Sequence, residues 1–146
     1  MKNIIIGASL VLAAGLGFAQ EAIPKDQLFK ALGEKPGLVK LMDQFMPRLI
    51  ADSRTGPFFK SADQERTKAQ LVVQICQLAG GPCAYDYENK DMKTVHMNMN
   101  VSMSDFNALV EVLQDSMDAQ GIAFTTQNQL LARLAPMHRA IVTTGK

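Results

Sequence analysis

The chain has no excess of charge of either sign, no apolar run long enough to cross a bilayer, and no cysteine pair at Cys-x-x-Cys spacing. Lys and Arg number 15 against 14 Asp and Glu, and only Lys2 among residues 1–19 is charged, so the remainder balances at 14 against 14. A neutral chain excludes nucleic acid and anionic membrane surfaces as partners, because either needs basic residues in excess on one face. The longest apolar run, Ile4 to Phe18, spans about 15 residues, short of the roughly 20 that a membrane-spanning helix requires. The two cysteines are too far apart for a thioredoxin-like redox pair. Strand-like alternation and internal repeats are also missing. What is present, in 146 residues, is enough chain for one domain with a single core.

Residues 1–19 read as a secretory signal: Lys2 supplies the positive start, Ile4 to Phe18 the apolar run, and Gly17-Phe18-Ala19 a small-x-small cleavage site. Cleavage before Gln20 leaves 20–146 as the domain. The alternative, an uncleaved anchor, is disfavoured by the short run and by the cleavage site directly after it. No cysteine follows the run, so nothing suggests a lipoprotein. A bacterial protein with this leader is periplasmic or secreted, with no stable membrane span once the leader is removed. Export gives Cys76 and Cys83 a meaning. Cys76 lies near the end of an apolar helix, and Gly80-Gly81-Pro82 stops that helix and lets the chain reverse before Cys83. In an oxidising compartment the pair is expected to form a disulfide; the other reading is two unpaired, buried small hydrophobes.

The rest of the chain predicts helices. Pro36 sits at a helix start, and Leu38, Leu41, Met42, Phe45 and Leu49 follow as an apolar stripe. Pro47 is expected to kink that helix. Asp52 to Pro57 is a turn cluster, and a helix from about 62 to 79 presents Leu71, Ile75 and Leu78. Residues 85–90 read as loop. Ser102 and Asp105 form a capping pair for a helix carrying Phe106, Leu109, Val110, Leu113 and Met117. Thr126 and Gln129 repeat the device for a final helix with Leu130, Leu134, Met137 and Ile141. Six or seven helices joined by short turns make an all-α domain.

The most informative stretch runs from Asp91 to Phe106. Met92, Val95, His96 and Met99 fall at helical spacings on one side, which places an imidazole on an apolar face. His96 then has two meanings. It is either a buried histidine bonded to backbone, or a ligand whose one ring nitrogen takes a metal or haem iron while the other donates to a carbonyl. The methionines suit both, since a flexible thioether fills an irregular core as readily as a cofactor pocket.

This stretch resembles the segment around the proximal histidine of the group I truncated haemoglobins, in which Met-Lys-x-Val-His is followed ten residues later by Phe. Here these are Met92-Lys93-Thr94-Val95-His96 and Phe106. Asp43 to Asp52 resembles the second helix of that family, and Pro57-Phe58-Phe59 its haem-stacking phenylalanine. Ala79-Gly80-Gly81-Pro82 matches the end of its distal helix, and Leu134-Ala135-Pro136 its last helix. The likeness covers about residues 27 to 142, with the elements in family order. It implies the truncated globin fold, two helix pairs crossing with haem between them. It also implies His96 as the iron ligand, its second nitrogen donating to the carbonyl of Met92. Phe59 would stack on the porphyrin, and Phe45, Met92, Val95, Val101 and Phe106 would line the pocket. With no Cys-x-x-Cys-His run, haem b would be held without covalent attachment.

The distal side departs from the family. Many members carry Phe-Tyr on the second helix, where this chain has Phe45-Met46. Alignment from Gly80-Gly81-Pro82 places Thr67 and Leu71 toward the iron, with Gln70 beside them. A short hydroxyl such as that of Thr67 can instead bond to its own helix, and Gln70 can face solvent, so the pocket is expected to be poor in donors. Two functions follow. One is reversible binding of a diatomic gas (oxygen, nitric oxide or carbon monoxide), with nitric-oxide or peroxide chemistry secondary and an unidentified electron donor as partner. The other is electron transfer, with Met46 or another thioether as a sixth ligand.

Overall fold

The structure is a computed structural model that describes residues 24–86 and 88–144. The expected signal, residues 1–19, and its boundary at Gln20 lie outside the described residues. Among the described residues there is no strand. The helices are α1 (Gln27–Ala31), α2 (Glu34–Ala51), α3 (Gly56–Phe59), α4 (Gln64–Leu78), α5 (Met92–His96), α6 (Met103–Ala119), α7 (Phe124–Leu134) and α8 (His138–Ile141). A 3-10 turn, Ala135–Met137, joins α7 to α8.

The stripe of α2 packs most extensively on α4 and α6, while α6 packs on α7. Leu38, Leu41, Met42, Phe45 and Leu49 from α2 meet Val72, Ile75 and Cys76 from α4. Val112, Leu113 and Met117 from α6 and Leu130 from α7 close the core. The fold is all-α among the described residues.

Helix ends explain where the chain turns. Asp63 caps α4 by accepting from Arg66 N, and Gly80 ends it at φ 80–90° territory that L residues avoid, its own value being +85°. Gly80 N bonds to Gln77 O and Gly81 N to Cys76 O, the paired bonds of a Schellman motif. A Cβ on Gly80 would stand 1.9 Å from Lys25 O, so this glycine is also where the start of the chain crosses the end of α4. The reversal brings Cys83 back, and Cys76 and Cys83 form a disulfide with Cα atoms 5.8 Å apart. Ser102 and Asp105 form the complete capping box at the start of α6.

Two expectations need correction. Pro47 is not one of them: it lies within α2, which runs on to Ala51. Thr126 and Gln129 do not cap the final helix, which starts earlier, at Phe124, with Ala123 at its N-cap. Thr126 is buried inside α7, and the Ala123 carbonyl takes the amides of both Thr126 and Gln127. Nor is that final helix continuous, because Pro136 has no N–H to offer and the chain tightens into the 3-10 turn before α8.

Candidate functional site

Helices α2 to α6 and the C-terminal turns surround a cavity of about 710 Å³. That lies within the roughly 300–1,000 Å³ of pockets that bury a small molecule or cofactor. The wall is assembled from several elements. Phe45 comes from α2 and Phe58 and Phe59 from α3; α4 contributes Thr67, Gln70, Leu71 and Ile75. Met92, Val95 and His96 come from α5, with Val101 just before α6 and Phe106 and Leu109 on it. Ten of the residues singled out in the sequence, His96 included, therefore meet at one cavity.

His96 is the polar centre of this wall. Its Nδ1 lies 2.8 Å from the Met92 carbonyl, one turn back on α5. A carbonyl only accepts, so Nδ1 carries the proton; in the neutral ring the Nε2 lone pair is then left for another partner. No hydrogen bond occupies Nε2 among the described residues. The short α5 is held in place at its start by Asp91, whose side chain accepts from Thr94 N at 2.7 Å. Hydrogen bonding from the Thr94 side chain, followed by that from its backbone N, holds the Asp91 carboxyl below its ordinary value. Phe106 is also supported from behind, by an edge-on contact with the ring of His138, centroids 6.2 Å apart.

Opposite α5, the polar side chains come from α4. Thr67 lines the cavity, but its hydroxyl donates to Asp63 O at 2.8 Å, within its own helix. Leu71 is apolar, and Gln70 is half-buried at the wall. Met46 is the one expected site residue that the structure does not bring to the cavity: it is buried at 3% exposure, outside the lining set. Neighbouring residues on a helix point about 100° apart, so with Phe45 turned to the cavity Met46 is turned into the packing beside it.

Sequence reasoning missed other groups. Gln74, one turn beyond Gln70 and Leu71, lines the cavity with its Nε2 3.9 Å from the sulfurs of both Met92 and Met137. The helical period that pointed to Leu71 also points to Gln74. At the polar edge stand Tyr85, Arg66 and Lys90. Glu88 pairs with Arg66 and also with Lys90, the latter at 3.0 Å. The bond from Lys90, then that from Arg66, holds the Glu88 carboxyl below its ordinary range. These charges come from a segment whose sequence shows only that it is polar and aperiodic.

The comparisons agree with this architecture. The bacterial-like globin family profile matches residues 27–143. A group 1 truncated hemoglobin of Mycolicibacterium paratuberculosis is 27% identical over 116 residues, covering 80% of this chain and 84% of the relative. That of Nostoc commune is 25% identical over 115 residues, covering 79% and 96%. In fold, the crystal structure of truncated hemoglobin from Tetrahymena pyriformis in its Fe(III) form superposes with a TM-score of 0.75 at 24% identity, covering 82% of this chain and 98% of that one. The family profile spans most of the chain, the relatives are group 1 proteins, and the helices take the same arrangement: the chain belongs to the bacterial-like globin family and is a group I truncated globin.

Proposed function

We propose that this globin is an exported protein that holds haem b non-covalently through His96 and reversibly binds a diatomic gas: oxygen, nitric oxide or carbon monoxide. The observation that carries this reading is the His96 ring, tied at Nδ1 to Met92 O while it lines a cavity of about 710 Å³. The residues fit a haem. The wall is largely aliphatic and aromatic, and the cationic side chains of Arg66 and Lys90, both paired with Glu88, stand at its edge, where a carboxylate of the cofactor would share them. Haem, when bound, would supply the iron that takes the gas. The protein's part is to hold and enclose it: Phe45, Phe59 and Phe106 exclude water, and the Met92 carbonyl fixes the tautomer and orientation of His96.

Export is supported by the leader at residues 1–19 and by the Cys76–Cys83 disulfide, a bond that persists in oxidising compartments. An electron donor, of unknown identity, is then needed outside the cytoplasm to keep the iron reduced. Nitric-oxide or peroxide chemistry at the haem is secondary. The alternative, electron transfer through His/Met ligation, would need a thioether other than Met46, which is not among the residues of the cavity wall.

The test is an absorption spectrum of the reduced protein with and without carbon monoxide, on the wild type and on His96→Ala. The wild type is expected to carry a Soret band that shifts with the gas. His96→Ala is expected to lose most of its haem, since His138, whose Nδ1 bonds to Ala135 O, does not line the cavity. Full haem retention with an unchanged spectrum in the variant would overturn the assignment.

A further inference from the structure

The large apolar side chains exposed among the described residues are Val39, Met97, Met99, Met103 and Phe124. Three of these five are methionines within seven residues, in Met97-Asn98-Met99-Asn100-Val101-Ser102-Met103, exposed at 57%, 37% and 45%. Isolated exposed apolar residues need no explanation, but here the shared property is a thioether sulfur, a soft ligand.

The backbone beneath them is a pinned corner. Met99 N bonds to His96 O at 3.0 Å, closing a turn off the end of α5. Asn100 reverses the chain at φ +52°. Val101 is bonded in both directions to Thr143, its N to the threonine Oγ1 at 2.9 Å and its O from the threonine N at 2.8 Å. Met103 then opens α6 behind the Ser102 cap. Met97 and Met99 are two residues apart, so their Cα atoms are at most about 7 Å apart; Met99 and Met103 are at most about 14 Å apart, and closer where Asn100 folds the chain. Three rotatable bonds in each side chain let the sulfurs converge on one ion.

The surroundings select which ion. Asn98, Asn100 and Ser102 are neutral, and the nearby Asp105 carboxylate accepts from the N and Oγ of Ser102 on its Oδ2. No group of three His, Cys, Asp or Glu side chains able to hold a metal exists among the described residues. A hard divalent cation therefore finds a single carboxylate, already engaged with Ser102, and otherwise only neutral amide and hydroxyl oxygens at this corner. Competing soft donors are out of play: both cysteines are in the disulfide, and Met42, Met46 and Met117 are buried. Met92 and Met137 flank Gln74 at the cavity.

We propose that Met97, Met99 and Met103 form a surface site for one copper(I) ion, bound by thioethers. No part of this depends on the haem reading, although Met99 also borders the cavity.

The test uses the full protein as purified, with its haem content measured and its methionine methyl groups labelled with carbon-13. It is titrated anaerobically with silver(I), a redox-inert stand-in, and with copper(I) buffered by bicinchoninate. The methyl signals of Met97, Met99 and Met103 are expected to move together and saturate at one equivalent, while those of Met42 and Met117 stay. Zinc(II) is expected to move none of the three. Replacing all three with leucine should weaken binding by at least about tenfold, since loss of even an outer partner of a metal site costs that much. If the triple variant misfolds, Met97→Leu alone, at the most exposed position, should show the same loss. Silver-induced shifts spread over the buried methionines, saturation well beyond one equivalent, an equal response to zinc(II), or unchanged affinity in the leucine variants would each overturn the site.

Discussion

Asp52 decides where α2 stops and α3 begins, and it does so through three separate groups. Its Oδ1 accepts from the backbone N of Arg54 at 2.7 Å and of Thr55 at 3.3 Å, and its Oδ2 from the Arg54 guanidinium at 2.8 Å. Arg54 is held from its other side by Glu111 on α6, at 2.6 Å. The turn in turn aims Phe58 and Phe59 at the cavity, so a carboxylate outside the site positions part of its wall. The Arg54 guanidinium, followed by the backbone amides of Arg54 and Thr55, lowers the Asp52 pKa to about 2. A folded-state pKa below the ordinary 3.8 means that the ionised form stabilises the fold. That contribution is complete above about pH 4 and is lost as pH falls through about 2. Asp52→Asn should therefore unfold at lower urea than wild type at pH 5, and the two midpoints should converge as pH approaches 2. A gap that stays constant between those pH values would mean that the charge of Asp52 has no part in the turn.

At the scale of the helix, what could be read from sequence was whatever repeats. The stripes of α2, α4 and α6 were legible because burial of one face forces a period of 3.6 residues, and the Ser102–Asp105 box because its two residue types mark a helix start. His96 was legible for the same reason, together with its family segment. Helix α1 has five residues and no period to detect, although Leu28 and Phe29 are both buried. The Thr126–Gln129 pair fits the capping spacing, yet the chain enters α7 three residues sooner because the glycine turn before it, Gly121 at φ +74°, has already reversed the chain. Which of two adjacent residues on α2 faces the cavity was decided by the helix phase in the packed structure, and it is Phe45. The family's tyrosine restored at the next position, Met46→Tyr, therefore meets close packing and no cavity for its hydroxyl. Stability should fall by roughly 1–3 kcal/mol, the usual cost of overpacking a filled core, and oxygen and carbon monoxide dissociation should change together or not at all. Stopped-flow and urea unfolding of both proteins check this. An unchanged midpoint with oxygen release slowed about tenfold and carbon monoxide release unaffected would place residue 46 at the gas after all.

Across the whole molecule, one corner joins the parts that make the site. Phe29 N bonds to Ala79 O at 3.1 Å, fastening α1 to the end of α4. Gly81 lies against the Cys76 sulfur and the Phe29 ring, where an added Cβ would stand 2.7 Å from each. From there the Cys76–Cys83 disulfide ties α4, which carries Thr67, Gln70 and Leu71, to the loop that leads to α5 and His96. A crosslink acts mainly by removing conformations from the unfolded chain, and closing a loop of about eight residues is worth roughly 2.5 kcal/mol in that treatment. The native protein should show no titratable thiol until it is unfolded and reduced. The double variant Cys76→Ala/Cys83→Ala should lower the free energy of unfolding by about that amount, and chemical reduction of the wild type should give nearly the same loss. Agreement between the two separates the constraint from packing, because reduction keeps both sulfur atoms in the core while alanine removes them. Two free thiols in protein recovered from an oxidising compartment, or a variant as stable as the wild type, would leave the corner held by the Gly80-Gly81 turn and the α1 contact alone.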